Sequence, residues 1–148
     1  VAINKKIKNA TLSEYDGVAL KSLLERLVYK TLVENGIKPD YEKEKIVLIE
    51  GFKPTKPFFT RARDRKTKKW KSLWDYKKLI SITYTPDFTF TYKGIKVYIE
   101  AKGFENDVFP IKKKLFRLWL EKQENPVIYA EIFTKRQLLE LIDYLKNV

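Results

Sequence analysis

The residues of this chain best placed for chemistry are two acids and a lysine set at strand spacing. Asp87 follows Pro86 in an alternating run from Tyr84 to Tyr92, and Glu100-Ala101-Lys102 closes a second run that starts at Ile95. Lys93-Gly94 between them is the signal of a two-residue hairpin turn. Such a turn pairs Tyr92 with Ile95, and five steps outward along each strand set Asp87 opposite Glu100, with Cβ atoms roughly 5 Å apart. Two carboxylates so placed repel one another unless a cation lies between them. Lys102 is two residues from Glu100 and so shares its face. A divalent metal on these acids, with the Ala101 carbonyl as a further oxygen donor, would polarise a phosphoryl oxygen and acidify a bound water. The lysine would orient that water and stabilise charge building on phosphate. The chemistry this implies is phosphodiester hydrolysis. A bulge at Pro86 would break the register on which it rests.

Glu-x-Lys alone is common on solvated strand faces, and composition sharpens it. The chain has no histidine and no cysteine, which excludes Ser-His triads, histidine-metal nucleases, zinc fingers and disulfides together. Any metal must be held by oxygen, which suits Mg²⁺ or Mn²⁺. Absence of cysteine fits a cytoplasmic location. No apolar run approaches a membrane span and no apolar leader opens the chain, so no membrane partner is expected. Methionine is missing even from position 1, as in a trimmed chain.

A net charge of +12 points to a polyanion. Excess lysine can serve solubility alone, but here the charge is clustered. Between Lys53 and Lys78 stand eleven basic residues, Arg61, Arg63 and Arg65 among them, against the two acids Asp64 and Asp75. Phe58, Phe59, Trp70 and Trp74 are interleaved with them. Basic groups neutralise phosphates and aromatic faces stack on bases, so the expected partner is nucleic acid. The plainer alternative is a packed hairpin with a solvated basic face.

The elements that must position the acids follow from periodicity. With 148 residues, 44% of them apolar, the chain is expected to form one domain. Residues 1–16 read as an extended arm ending at the turn Asp16-Gly17. A helix is expected from Val18 to Asn35 on the stripe Leu20, Leu23, Leu24, Leu27, Val28 and Leu32, with Gly36 ending it. Glu25 sits at the edge of that stripe; its ordinary reading is a surface acid pairing with Lys21. Ile46 to Glu50 form a short strand, extended backward by Tyr41 to Lys45, and residues 53–78 form a long loop or hairpin. After the two central strands comes a helix from Phe109 to Lys122, with Asp107 as N-cap and Ile111, Leu115, Leu118 and Trp119 on its apolar side. A strand from Val127 to Phe133 leads to a last helix capped by Thr134 and Gln137 and anchored by Leu138, Leu141, Ile142 and Leu145. The order α-β-β-β-α-β-α makes an α/β fold with a mixed sheet.

Pro86-Asp87 followed by Glu100-Ala101-Lys102, within that order, resembles the PD-(D/E)xK nuclease superfamily and its restriction-endonuclease-like core. The resemblance is closer to small phage endonucleases related to Holliday-junction resolvases of the endonuclease I kind. It is carried by Asn9-Ala10, Tyr15-Asp16-Gly17, Ser22-Leu23-Leu24-Glu25, Tyr84 to Phe88, Glu100 to Gly103, and Phe109 to Phe116. It implies Asp87 and Glu100 as metal ligands, Lys102 as the catalytic lysine and Glu25 as the acid completing the site. It also implies Lys112 as a basic residue near the phosphate, and a phage or bacterial setting; Lys114, on the polar side of the same helix, is a further DNA-binding candidate. The stretch from Phe58 to Lys78 is longer than that pattern. Glu42, Glu105 and Asp107 are reserve acids. Three readings stand: a structure-selective DNA endonuclease, which would cut two strands as a homodimer; a nicking or restriction-like nuclease of broader habit; and a DNA-binding module without turnover.

Overall fold

The computed structural model describes residues 13–103 and 108–148. Most of the expected arm, with Glu105 and the expected N-cap Asp107, lies outside them. In chain order the elements are β1 (Ser13–Tyr15), β2 (Val18–Leu20), α1 (Leu23–Glu34), β3 (Asp40–Tyr41), β4 (Ile46–Ile49), β5 (Phe59–Arg63), β6 (Trp70–Trp74), β7 (Ile82–Tyr84), β8 (Phe88–Tyr92), β9 (Ile95–Ala101), α2 (Phe109–Glu121), β10 (Val127–Ile132) and α3 (Lys135–Asn147). They form an α/β fold in two compact units. One comprises the described residues up to Ile46 and from Tyr84 onward; the other is Val47–Thr83.

The first unit is built on a four-stranded sheet in the order β10-β9-β8-β3. β8 and β9 are antiparallel through a turn at Lys93 and Gly94, both at positive φ, and Tyr92 pairs with Ile95 as the turn demands. β10 returns parallel to β9 after the helical crossover, so the sheet is mixed. Phe88, Phe90, Val97 and Ile99 pack with Val28, Tyr29 and Leu32 of α1 and Leu138, Ile142 and Leu145 of α3 in one core. Tyr98 takes the opposite face and meets Phe116 and Trp119 of α2 edge-on. The sheet is therefore covered on both faces, and residues of one strand parity lie beneath α2.

Several expected boundaries shift for local reasons. The helix expected from Val18 begins at Leu23, because Asp16 and Gly17 both adopt positive φ and turn Val18–Leu20 back onto Ser13–Tyr15 as a hairpin. Ser22 is the true N-cap, its hydroxyl accepting from the Glu25 N–H at 3.1 Å. At the other end Gly36 (φ +79°) donates to Val33 O and Ile37 to Leu32 O, a Schellman closure that buries Ile37. Tyr41 does not extend β4; Glu42 at φ +45° breaks the chain, and β3 pairs with β8 instead. Tyr84 to Tyr92 is not one strand, for Thr85-Pro86-Asp87 interrupts it. On α2 the buried positions are Phe109, Phe116 and Leu120; Ile111 and Leu118, expected inside, are exposed. On α3 Thr134 Oγ1 accepts from Gln137 N as expected, but the Gln137 amide oxygen reaches Phe133 N, one residue before the cap.

In the second unit β5 and β6 form an antiparallel hairpin from Phe59↔Trp74 to Arg63↔Trp70. Asp64 shapes its tip by accepting from the Lys66 and Thr67 N–H groups. β4 and β7 pair at the root, and Phe52 bridges to Leu79. There Gly51 is required by close approach, since a Cβ would stand 2.6 Å from the Leu79 carbonyl oxygen. Among the described residues no helix is long and apolar enough to cross a membrane.

Candidate functional site

The β8–β9 ladder holds the expected register as far as Phe88↔Ile99 and stops one pair short of Asp87↔Glu100. Beyond it the Pro86 segment diverges, and the Asp87 side chain crosses to the end of β9. There its Oδ2 accepts from the Ala101 N–H at 2.8 Å. Asp87 also accepts at its backbone carbonyl from Glu42 N. The hairpin thus delivers both acids to one end of the sheet, but the facing pair of an unbroken ladder is replaced by a side-chain-to-backbone lock.

Around these acids the first unit gathers polar groups at low exposure. Asp87 and Glu25 are each 9% exposed and Lys102 5%. Glu25, in the first turn of α1, accepts at Oε2 from the Tyr41 hydroxyl at 2.6 Å and from the Lys21 N–H at 2.9 Å. The Lys21 ammonium goes to Glu42, not to Glu25, so the ordinary surface pairing of Glu25 with Lys21 does not form. Glu100 accepts from the Tyr84 hydroxyl at 2.6 Å, with Tyr129 at 3.3 Å from Tyr84, and its other oxygen lies 3.9 Å from Lys102 Nζ. The Lys102 ammonium rests over the ring of Phe109. Glu131 is the register partner of Glu100 on β10 and is ion-paired to Lys113 of α2.

This crowding of carboxylates away from water sets their protonation. Burial, then the negative fields of Glu100 and Glu25, push the Asp87 carboxyl up to about 8, against the pull of the Ala101 N–H. Burial pushes Glu100 up to about 7; the Tyr84 hydroxyl and Lys102 oppose this, and Glu25 and Glu131 add to it. Tyr41 and Tyr84 are raised by burial and then by the carboxylates they serve, so both stay protonated as donors. Tyr129 is raised as well, chiefly by burial.

As the side chains stand, no three acids among the described residues are grouped to hold a metal ion. The donor chemistry still fits a hard divalent cation. Asp87 is buried and Glu100 half-buried; the two carboxyls cannot both ionise cheaply, and a cation is what would relieve them. Glu25 is engaged by Tyr41 and would have to share its oxygens. Ala101 enters the observed site through its N–H.

The residues expected to bind DNA fall in two places. Arg61 and Arg63 lie on β5 and Arg65 at the hairpin tip, all exposed. On α2, Lys114 is exposed and Lys112 half-buried, while Lys113 is the lysine that reaches the carboxylate cluster, through Glu131. Sequence reasoning missed Tyr41, Tyr84, Tyr129, Glu131 and Lys113. Tyr129 and Glu131 alternate visibly along one strand, yet only the parallel β9–β10 register brings them beside Glu100. Comparison with protein-family models, with curated proteins and with solved structures finds no match to this chain.

Proposed function

We propose that this protein is a metal-dependent endonuclease that hydrolyses DNA phosphodiester bonds, on a core of the restriction-endonuclease-like kind. The observation that carries the reading is the gathering of buried Asp87 and Lys102 with half-buried Glu100 at one end of β8 and β9, with both carboxyls pushed toward neutral pH. Fold stability alone gives no reason to draw two acids and a lysine out of bulk water there, whereas perturbed groups of this kind cluster at reactive sites.

Asp87 and Glu100 would hold Mg²⁺ or Mn²⁺, with Glu25 and the carbonyl of Ala101 as further oxygen donors. The ion would supply Lewis acidity and a water made acidic enough to attack phosphorus. The chain's own groups do the positioning. Tyr84 fixes the orientation of Glu100 and Tyr41 that of Glu25, each through a hydroxyl donated to a carboxylate. Lys102, packed against Phe109 and beside Glu100, would orient the attacking water and meet charge growing on the phosphate. The unneutralised basic residues supply attraction for the polyanion. A junction-resolving activity, by a homodimer that cuts symmetrically, is the structure-selective form of this proposal.

A DNA-binding module without turnover is the second reading, and the engagement of Glu25 by Tyr41 favours it, since a third ligand is then not free. Cleavage of four-way junction, duplex and single-stranded DNA, with Mg²⁺, Mn²⁺, Ca²⁺ or EDTA, separates the two. The expected result is cutting with Mg²⁺ or Mn²⁺, binding without efficient cutting in Ca²⁺, and none in EDTA. Full cleavage in excess EDTA would sink the metal-dependent reading, and binding without cutting under every metal would favour the module.

A further inference from the structure

The β5–β6 register sorts the hairpin's side chains into two faces of opposite character. Thr60 and Leu73 pair on one face and are the two half-buried residues of the ten in these strands. The other face carries Phe59, Arg61, Arg63, Trp70, Ser72 and Trp74. Its rings stand in solvent, with Phe59 and Trp74 each 61% exposed and Trp70 55%. They are also organised: Phe59 and Trp74 lie 5.0 Å apart at 45°, and the Arg61 guanidinium sits 4.2 Å over the Trp70 ring. From one end pair to the other the face runs roughly 14 Å.

Its charge is unspent. None of the eleven basic side chains between Lys53 and Lys78 forms an ion pair among the described residues. The two acids of that stretch are turned to backbone N–H groups, Asp64 to Lys66 and Thr67, Asp75 to Lys77. A face meant for an apolar protein partner would have no use for that density of unpaired cations.

We infer that this face is a stacking platform for unpaired nucleotides, so that the polynucleotide this protein binds presents a single-stranded or splayed segment. Bases within a duplex spend their π-faces on one another; unpaired bases alone can offer them to Phe59, Trp70 and Trp74. The flanking arginines and lysines follow the phosphates. The inference deepens the proposal that the protein acts on DNA, but it concerns binding and does not depend on cutting.

The test uses the full chain in EDTA, with tryptophan fluorescence and anisotropy reporting binding of a twelve-nucleotide oligothymidylate, an abasic strand of equal length and a blunt duplex. The parent should bind oligothymidylate at least about fivefold tighter than the abasic strand. Trp74→Leu and Trp70→Leu should each weaken oligothymidylate binding roughly 5- to 150-fold, as expected for loss of one stacked base. Neither should change the dependence of affinity on salt, nor the affinity for the abasic strand. Equal affinity of the parent for the two strands would overturn the inference, and that comparison needs no variant to fold. An equal loss on blunt duplex would overturn it too, as would self-association that Trp74→Leu abolishes, which would make the face a contact between copies. Stacking without cleavage in Mg²⁺ would remove the nuclease reading and leave the platform standing; cleavage without base-dependent binding would do the reverse.

Discussion

Asp87→Asn isolates the electrostatic cost of the carboxylate cluster. In the unfolded chain Asp87 titrates near its ordinary 3.8, whereas in the folded protein burial and its acidic neighbours push it up to about 8. The folded state therefore holds a proton that the unfolded state has released. For a group whose folded pKa is raised, the stability contribution is full below about pH 4 and is lost as pH climbs through about 8. Each pH unit between costs about 1.4 kcal/mol per retained proton, so from pH 5 to pH 7 the metal-free parent should lose about 3 kcal/mol on account of Asp87. Glu100, raised to about 7, adds to the slope. Asparagine cannot ionise, yet its side-chain oxygen can still accept from the Ala101 N–H, so the variant keeps the lock and drops the charge. Urea denaturation of parent and variant in EDTA at pH 5, 6, 7 and 8 gives the measurement. The stability of the variant relative to the parent should improve by about 3 kcal/mol from pH 5 to pH 7. With saturating Mg²⁺ that difference should shrink, because a bound cation replaces the proton in the parent and stabilises it by linkage. A difference between the two proteins that is the same at every pH would refute the reasoning, because Asp87 would then carry an ordinary pKa.

Glu25→Gln should leave the fold intact at a cost of about 1–2 kcal/mol, since glutamine can still accept from Tyr41, while cleavage falls at least about tenfold. Unchanged turnover would leave Glu25 only its structural hydrogen bonds to Tyr41 and the Lys21 N–H. Replacing Arg61, Arg63 and Arg65 together by alanine should reduce the slope of log affinity against log salt by up to about 0.9 per lost phosphate contact, and an identical slope would remove this hairpin from the phosphate path. Thr89 on β8 is buried and its hydroxyl has no hydrogen-bond partner among the described residues, so Thr89→Val should raise stability by about 1 kcal/mol in the same urea assay; a loss would mean that the hydroxyl is satisfied in solution.

What was legible in the sequence was whatever local chemistry decides. Lys93-Gly94 dictates its own turn, and the register that follows runs true through Phe88 because nothing intervenes. Gly36, Thr134 and the Leu138 stripe likewise act within a few residues of themselves. The misreadings came where one local signal overrode another. Leu20 falls on the apolar stripe of the expected helix, yet it is buried from a strand, because Asp16-Gly17 reverses the chain before Ser22 can start a helix. On α2 the apolar stripe was misplaced, since Ile111 and Leu118 look as hydrophobic as Phe116 and Leu120. For the same reason Lys113, and not the expected Lys112, is the lysine that meets Glu131. Glu131 beside Glu100 was out of reach for another reason: parallel pairing across a helical crossover has no turn to fix its register.

Because β4 and β7 are paired, the chain departs at Val47 and returns at Thr83 through neighbouring strands. An excursion closed at its base is, to the remainder of the chain, a decoration on a short connection. Closing a longer loop adds only slowly to the entropy of folding, about 0.6 kcal/mol for each doubling. The tip between Phe59 and Trp74 can therefore be lengthened, shortened or rewritten with little penalty to folding, provided that Gly51 and the strands at the base are kept.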